Sequence, residues 1–136
     1  MNVTRIALAA LAALVAYFVI GGVFFAVPAM REEFTRYPGV FRTGEAIGSL
    51  MAVGMFGILL AIVVATVIFA RMYPSGASFS AGLQFGLLLA AFHLGSFVLH
   101  NHMNLNVGAR LSALQGVVYA SEWIAVGIVI SLIYRS

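Results

Sequence analysis

The chain contains no cysteine, no lysine and no aspartate. Without thiols it forms no disulfide, no thiolate metal site and no cysteine nucleophile, and its redox compartment leaves no trace in the sequence. All seven basic residues are Arg and all four acids are Glu. Charge is scarce altogether: 8% of residues are charged, where a soluble domain carries roughly 25%. So little charge cannot cover a water-facing surface, and the solvent around most of this chain is lipid. Soluble-enzyme motifs are missing as well. There is no Gly-rich phosphate loop, no nucleophile elbow and no HExxH, so no enzymatic activity is expected. The net charge is +3 and the isoelectric point about 9.8. The Arg residues are scattered rather than clustered, which excludes a nucleic-acid partner.

What is abundant is apolar. Hydrophobic residues make up 63% of the 136, and the mean hydropathy is +1.10. The three prolines, Pro28, Pro38 and Pro74, fall between long apolar runs. A membrane-spanning helix needs about 20 apolar residues. Four runs approach or exceed that, over about 5–27, 46–70, 81–100 and 111–134. Backbone groups in lipid must pair internally, which makes these helices. The fold class expected is all-α: one domain over residues 1–136, a four-transmembrane-helix integral membrane bundle with the lipid bilayer as its partner. The first run exceeds the 7–15 apolar residues usual in a signal peptide, so it is expected to be a retained helix.

Four spans put both termini on one side with the loop around Pro74. The two remaining loops share the other side. Arg5, Arg71 and Arg135 fall on the first side; Arg31, Arg36, Arg42 and Arg110 on the second. That balance gives the positive-inside rule nothing to act on. The first loop holds Arg31, Glu32, Glu33, Arg36 and Arg42, with Phe34, Tyr37 and Phe41 between them. It reads as an interfacial amphipathic segment, its aromatics toward the lipid boundary and its Arg side chains toward the headgroups.

Glu122 carries the most information about function. It is the only charge between Arg110 and Arg135. A carboxylate near mid-bilayer costs about 2.5–3.5 kcal/mol on insertion scales, and such residues face a partner or a cavity. Ser112, Gln115, Tyr119 and Glu122 follow helical spacing and are expected to share an inward face. On the third run Gly82, Gly86 and Ala90 form a small face that His93, Ser96 and His100 continue. Counted at 1.5 Å per residue, His93 and Glu122 reach the same depth, and a hydrogen bond or ion pair between them is expected. The plain alternative is that such a pair only fastens two helices, since interhelical hydrogen bonds in membranes average about 0.6 kcal/mol.

The ligand or proton site expected is therefore Glu122, His93, Tyr119, Gln115 and Ser96. Glu45, His100, Asn101, Asn104 and Arg110 are expected at its entrance, with Glu45 pairing Arg42 or Arg110. His100 and His102, with Met103, are residue types that copper accepts. Their spacing fits no fixed metal motif, so no metal or cofactor is expected. A bis-His haem would need a second chain, because all three His lie on one run. The bland role for these Asn and His side chains is capping the carbonyls at the end of the third helix.

Gly82 to Gly86, His100-Asn101 with Asn104-Leu105, Glu122-Trp123 with Gly127, and the closing Ser131-Leu132-Ile133-Tyr134-Arg135 carry a resemblance. This half of the chain resembles families of small bacterial inner-membrane proteins with four spans and no assigned activity. The resemblance implies the four-helix fold and a bacterial inner-membrane location, and it implies no mechanism. From the residues themselves, three functions remain open. One is binding or transport of a small molecule or ion with a protonatable intramembrane carboxylate. Another is a non-catalytic accessory or assembly subunit, as a homo-oligomer or within a larger membrane complex. The third is a His-based metal or haem site.

Overall fold

The computed structural model describes residues 2–42, 44–74 and 77–134. Arg135, and Ser75 and Gly76 in the second loop, lie outside the described residues. The elements are α1 (Val3–Ala26), α2 (Pro28–Thr35), α3 (Gly44–Met72), α4 (Phe79–His93), a π-helical turn (Leu94–Leu99), α5 (His100–Asn104) and α6 (Ala109–Ile133). α4, the π-turn and α5 run on as one helical span, Phe79–Asn104. Together with α1, α3 and α6, this gives four helices among the described residues that are long and apolar enough to cross a membrane. The fold is an all-α bundle.

The helices overrun their expected ends where side chains satisfy free backbone donors. Asn2 Oδ1 accepts from Arg5 N at 3.1 Å, and Ser78 Oγ accepts from Ala81 N at 3.3 Å. Both are N-caps of the ordinary kind. At the other end of the third span the helix runs on to Asn104, so His100, Asn101 and His102 are helical rather than part of a long loop.

α6 is the central element, packed along α4 on one side and α1 on the other. Glycine sets the α4–α6 contact. A Cβ at Gly86 would lie 2.7 Å from Ile124 Cα, one at Gly82 would fall on Ser131 Oγ, and one at Gly127 on Gly86 N. Bare backbones meet there, as small-xxx-small packing allows. The antiparallel register continues through Gly116 opposite Leu94 to His102 Nδ1, which lies 2.9 Å from Ser112 Oγ.

α1 buries Ile6, Ala9, Ala10, Ala13, Tyr17 and Gly21, a stripe in steps of mostly three and four. α3 behaves differently along its length. Its buried residues, Ile62, Ala65, Thr66, Phe69 and Ala70, all lie in the second half. From Gly44 to Gly57 every residue except Ala46 is exposed, and nothing lies within 4 Å of a Cβ built at Gly48, Gly54 or Gly57. The first half of α3 therefore stands off the bundle, leaving space between itself, α1 and α6.

The first loop corrects the amphipathic expectation. Phe34, Tyr37 and Phe41 turn inward, packed with Met30, Leu111 and Val118 over the ends of α1 and α6. Phe34 stacks edge-on against Phe41 at 4.7 Å, and Gly108 N donates to the Tyr37 hydroxyl at 2.9 Å. Arg36 and Arg42 stay exposed. The reason is Glu33, which is 1% exposed and binds Arg36 at 3.0 Å and Arg110 at 3.2 Å. Drawing that carboxylate onto α6 brings in α2 with Phe34, and the following loop with Tyr37 and Phe41. Arg110 thus pairs with Glu33 rather than Glu45, and Glu45 is exposed with no ion pair among the described residues.

Candidate functional site

Depth and direction have to be separated at Glu122. The expected depth of His93 holds: the α4–α6 register sets it level with the middle of α6, its ring 4.8 Å from Tyr119 and 5.8 Å from Trp123. The direction does not. Successive residues on a helix are about 100° apart, so Tyr119 and Trp123 share the face toward α4 while Glu122 turns toward α1. No hydrogen bond or ion pair joins His93 to Glu122 among the described residues, and His93 Nε2 and Glu122 Oε2 have no partner at all. The expected His–Glu pair is not formed.

Glu122 is 2% exposed. Its neighbours come from α1, which supplies none of the residues expected at the site. Tyr17 lines the same wall as Glu122 and packs edge-on against the neighbouring Trp123 at 5.8 Å. A Cβ at Gly21 would fall on Glu122 Oε1, so Gly21 is the gap the carboxylate occupies. Tyr17 and Gly21 are four apart, the interval that places two residues on one helix face. A lone Tyr and a glycine at that spacing, in a helix that is otherwise almost wholly aliphatic and Phe beyond Arg5, were the available signal.

The carboxyl lines a cavity of about 570 Å³ between α1, the stand-off half of α3, and α6. Tyr17, Gly21, Tyr119 and Glu122 form its inner wall; Met51 and Gly54 of α3 form its outer wall; Arg42 lies at the rim. Its volume and its mostly apolar walls with a few polar groups fall in the range of ligand sites, roughly 300–1,000 Å³, but most of its lining is exposed, so the space is a groove open to the outside between α1 and α3.

A second cavity of about 510 Å³ lies on the other side of α3, lined by His93 and Trp123 among aliphatic residues such as Ala61, Ala65 and Leu89. Trp123 is 6% exposed, and neither its Nε1 nor His93 Nε2 has a hydrogen-bond partner. The π-turn begins immediately after His93. A π-turn inserts one residue into the helical repeat. The inward face therefore passes to Val98, and Ser96 and His100 are left exposed.

The other expected site residues are dispersed. Ser96 spends its hydroxyl on Phe92 O at 2.7 Å of its own helix. Gln115 is half-buried and lines neither cavity. Asn104 Nδ2 donates to His100 O at 3.0 Å, a cap on the helix end. Glu45, His100, Asn101, Asn104 and Arg110 do not line the Glu122 cavity; Arg42 does. Of the two metal candidates, His102 is engaged by Ser112, and no group of three or more His, Cys, Asp or Glu gathers among the described residues.

Compared with protein-family models, with curated proteins and with solved structures, the chain matches none.

Proposed function

We propose that this is a small polytopic protein of a bacterial inner membrane that binds or transports a small molecule or ion through the Glu122 cavity. The carboxyl takes up and releases a proton as the occupant leaves and arrives. One observation carries this reading: a carboxylate 2% exposed, with one oxygen unpartnered, lines a cavity of about 570 Å³ at mid-helix depth. A purely structural glutamate is expected to satisfy both oxygens against a neighbouring helix, because an unpaired buried oxygen stabilises nothing and costs desolvation.

A lipophilic carbodiimide tests this without knowledge of the occupant. It adds to a protonated carboxyl that it can reach from the bilayer. In liposomes the expected adduct is on Glu122, found by mass spectrometry after proteolysis, and its rate should fall as pH rises. Leu at Gly22 or Gly54, which line the cavity with open space beside them, should block it. An unmodified Glu122 beside a modified Glu45 would mean a sealed carboxyl and would overturn the reading.

A second reading, an accessory or assembly subunit acting as a homo-oligomer or in a larger complex, is favoured by one feature. Gly44 and Gly48 present an open small face on the unpacked half of α3, of the type that membrane helices use to approach one another.

A further inference from the structure

The geometry points to a lipophilic monovalent cation, an amine or onium group on an apolar body, as the occupant of the Glu122 cavity. The inference rests on the binding reading above and supplies its substrate class.

The charges facing the cavity decide the sign. From α6 come Glu122 and Tyr119, from α1 Tyr17, and from the first loop Arg42; the lining residues of α3 carry no charge. Glu122 is the only ionisable acid among them and sits deep. Arg42 lines the rim and is exposed, where water and salt screen its charge, while Glu122 is buried. His93 takes no part, since it faces the other cavity. An anion driven into this space would meet the carboxylate and apolar walls.

The walls decide the body. A bare metal ion needs six or more oxygens if it is calcium-like, and an octahedral shell if it is magnesium-like. Here the inner oxygens are those of Glu122, Tyr17 and Tyr119. Around them are the rings of Tyr17, Phe18, Phe25 and Tyr119 and the side chains of Met51 and Met55. Aromatic faces attract weakly hydrated organic cations within about 6 Å of the ring centroid. A volume of about 570 Å³ is far more than a proton or a desolvated ion fills.

The exchange balances simply. A cation enters, the protonated carboxyl loses its proton to water, and the carboxylate so formed pairs with the cation. When the cation leaves, a proton returns. Cation and proton therefore compete for Glu122.

Trp123 reports on this directly. It is the only Trp in the chain, adjoins Glu122, and packs edge-on to Tyr17 at 5.8 Å. The test uses tetraphenylphosphonium and tetraphenylborate, which share shape and size and differ in sign. Each is titrated into the full chain in nanodiscs, with empty nanodiscs subtracted. Tetraphenylphosphonium should change Trp123 fluorescence saturably and bind more tightly as pH rises. Glu122→Gln should weaken it by about tenfold or more, since close Coulombic attraction at a low-dielectric site exceeds a decade in binding constant. Tetraphenylborate should give no saturable change. Saturable tetraphenylborate binding, or tetraphenylphosphonium binding unchanged in Glu122→Gln, overturns the cation assignment. So does absence of tetraphenylphosphonium binding to a protein whose Glu122 still reacts with carbodiimide, which leaves the binding reading standing. Loss of both responses removes the two together.

Discussion

Gly21→Ala isolates the contact on which the site is built, because Gly22 beside it is an internal control. In a helix interior Ala is favoured over Gly by about 0.8–1 kcal/mol. Gly22→Ala should realise that gain, since nothing lies within 4 Å of its Cβ. At Gly21 the new methyl would coincide with Glu122 Oε1 and lie 3.4 Å from Cδ. The carboxylate would have to swing into the cavity. Overpacking of this kind costs about 1–3 kcal/mol. Setting the helix gain against it leaves Gly21→Ala destabilising by up to about 2 kcal/mol, and about 1–3 kcal/mol below Gly22→Ala. Unfolding in mixed micelles, followed by Trp123 fluorescence, reads both. In a Glu122→Ala background the penalty at Gly21 should largely vanish, a non-additivity expected only of residues in contact. Equal stability of the two alanine variants in the wild-type background would refute the placement of Glu122 against α1.

Three further predictions follow from the packing. Gly127→Ala should cost the upper part of about 1–3 kcal/mol in the same unfolding assay, because its Cβ meets the backbone of α4 rather than a movable side chain; a neutral result would contradict the α4–α6 register. Glu33→Gln should destabilise by about 1–2 kcal/mol, discounted because both Arg partners are more than half exposed, whereas exposed Glu32→Gln should be silent; equal effects would remove Glu33 from its place between α2 and α6. Single cysteines at Asn2 and Arg71 should react with an impermeant thiol reagent from one side of the membrane, and those at Arg36 and Asn104 from the other; same-side labelling of Asn2 and Asn104 would break the four-span arrangement.

The spans were legible because hydropathy over about 20 residues is a strong signal that no neighbouring helix can alter. The small face of Gly82 and Gly86 was legible for a related reason: close helix approach needs residues without bulk, and few types qualify. The direction of Glu122 was not. Counting rise gives depth: it set His93 level with Glu122, and His93 lies against Tyr119 and Trp123, which flank Glu122 on α6. Azimuth depends on which helix packs where, and a one-residue step turns a side chain by about 100°. The π-turn after His93 added a second rotation that a regular 3.6-residue repeat does not contain. The inward turn of Phe34, Tyr37 and Phe41 was hidden because it depends on Glu33 finding Arg110, which lies beyond two intervening spans. Tyr17 and Gly21 left a faint local signal, but their role appears only once α1 is known to lie against α6.

Difference infrared spectroscopy of the full chain in lipid tests most directly the claim that Glu122 is a protonatable carboxyl in an accessible site. Stepping the pH should remove and restore a protonated-carboxyl C=O band in the wild type. Glu122→Gln should lack that band while keeping the amide signature of the folded bundle. Wild-type and Glu122→Gln difference spectra that superimpose across the titration would contradict the account and leave Glu122 as a structural residue.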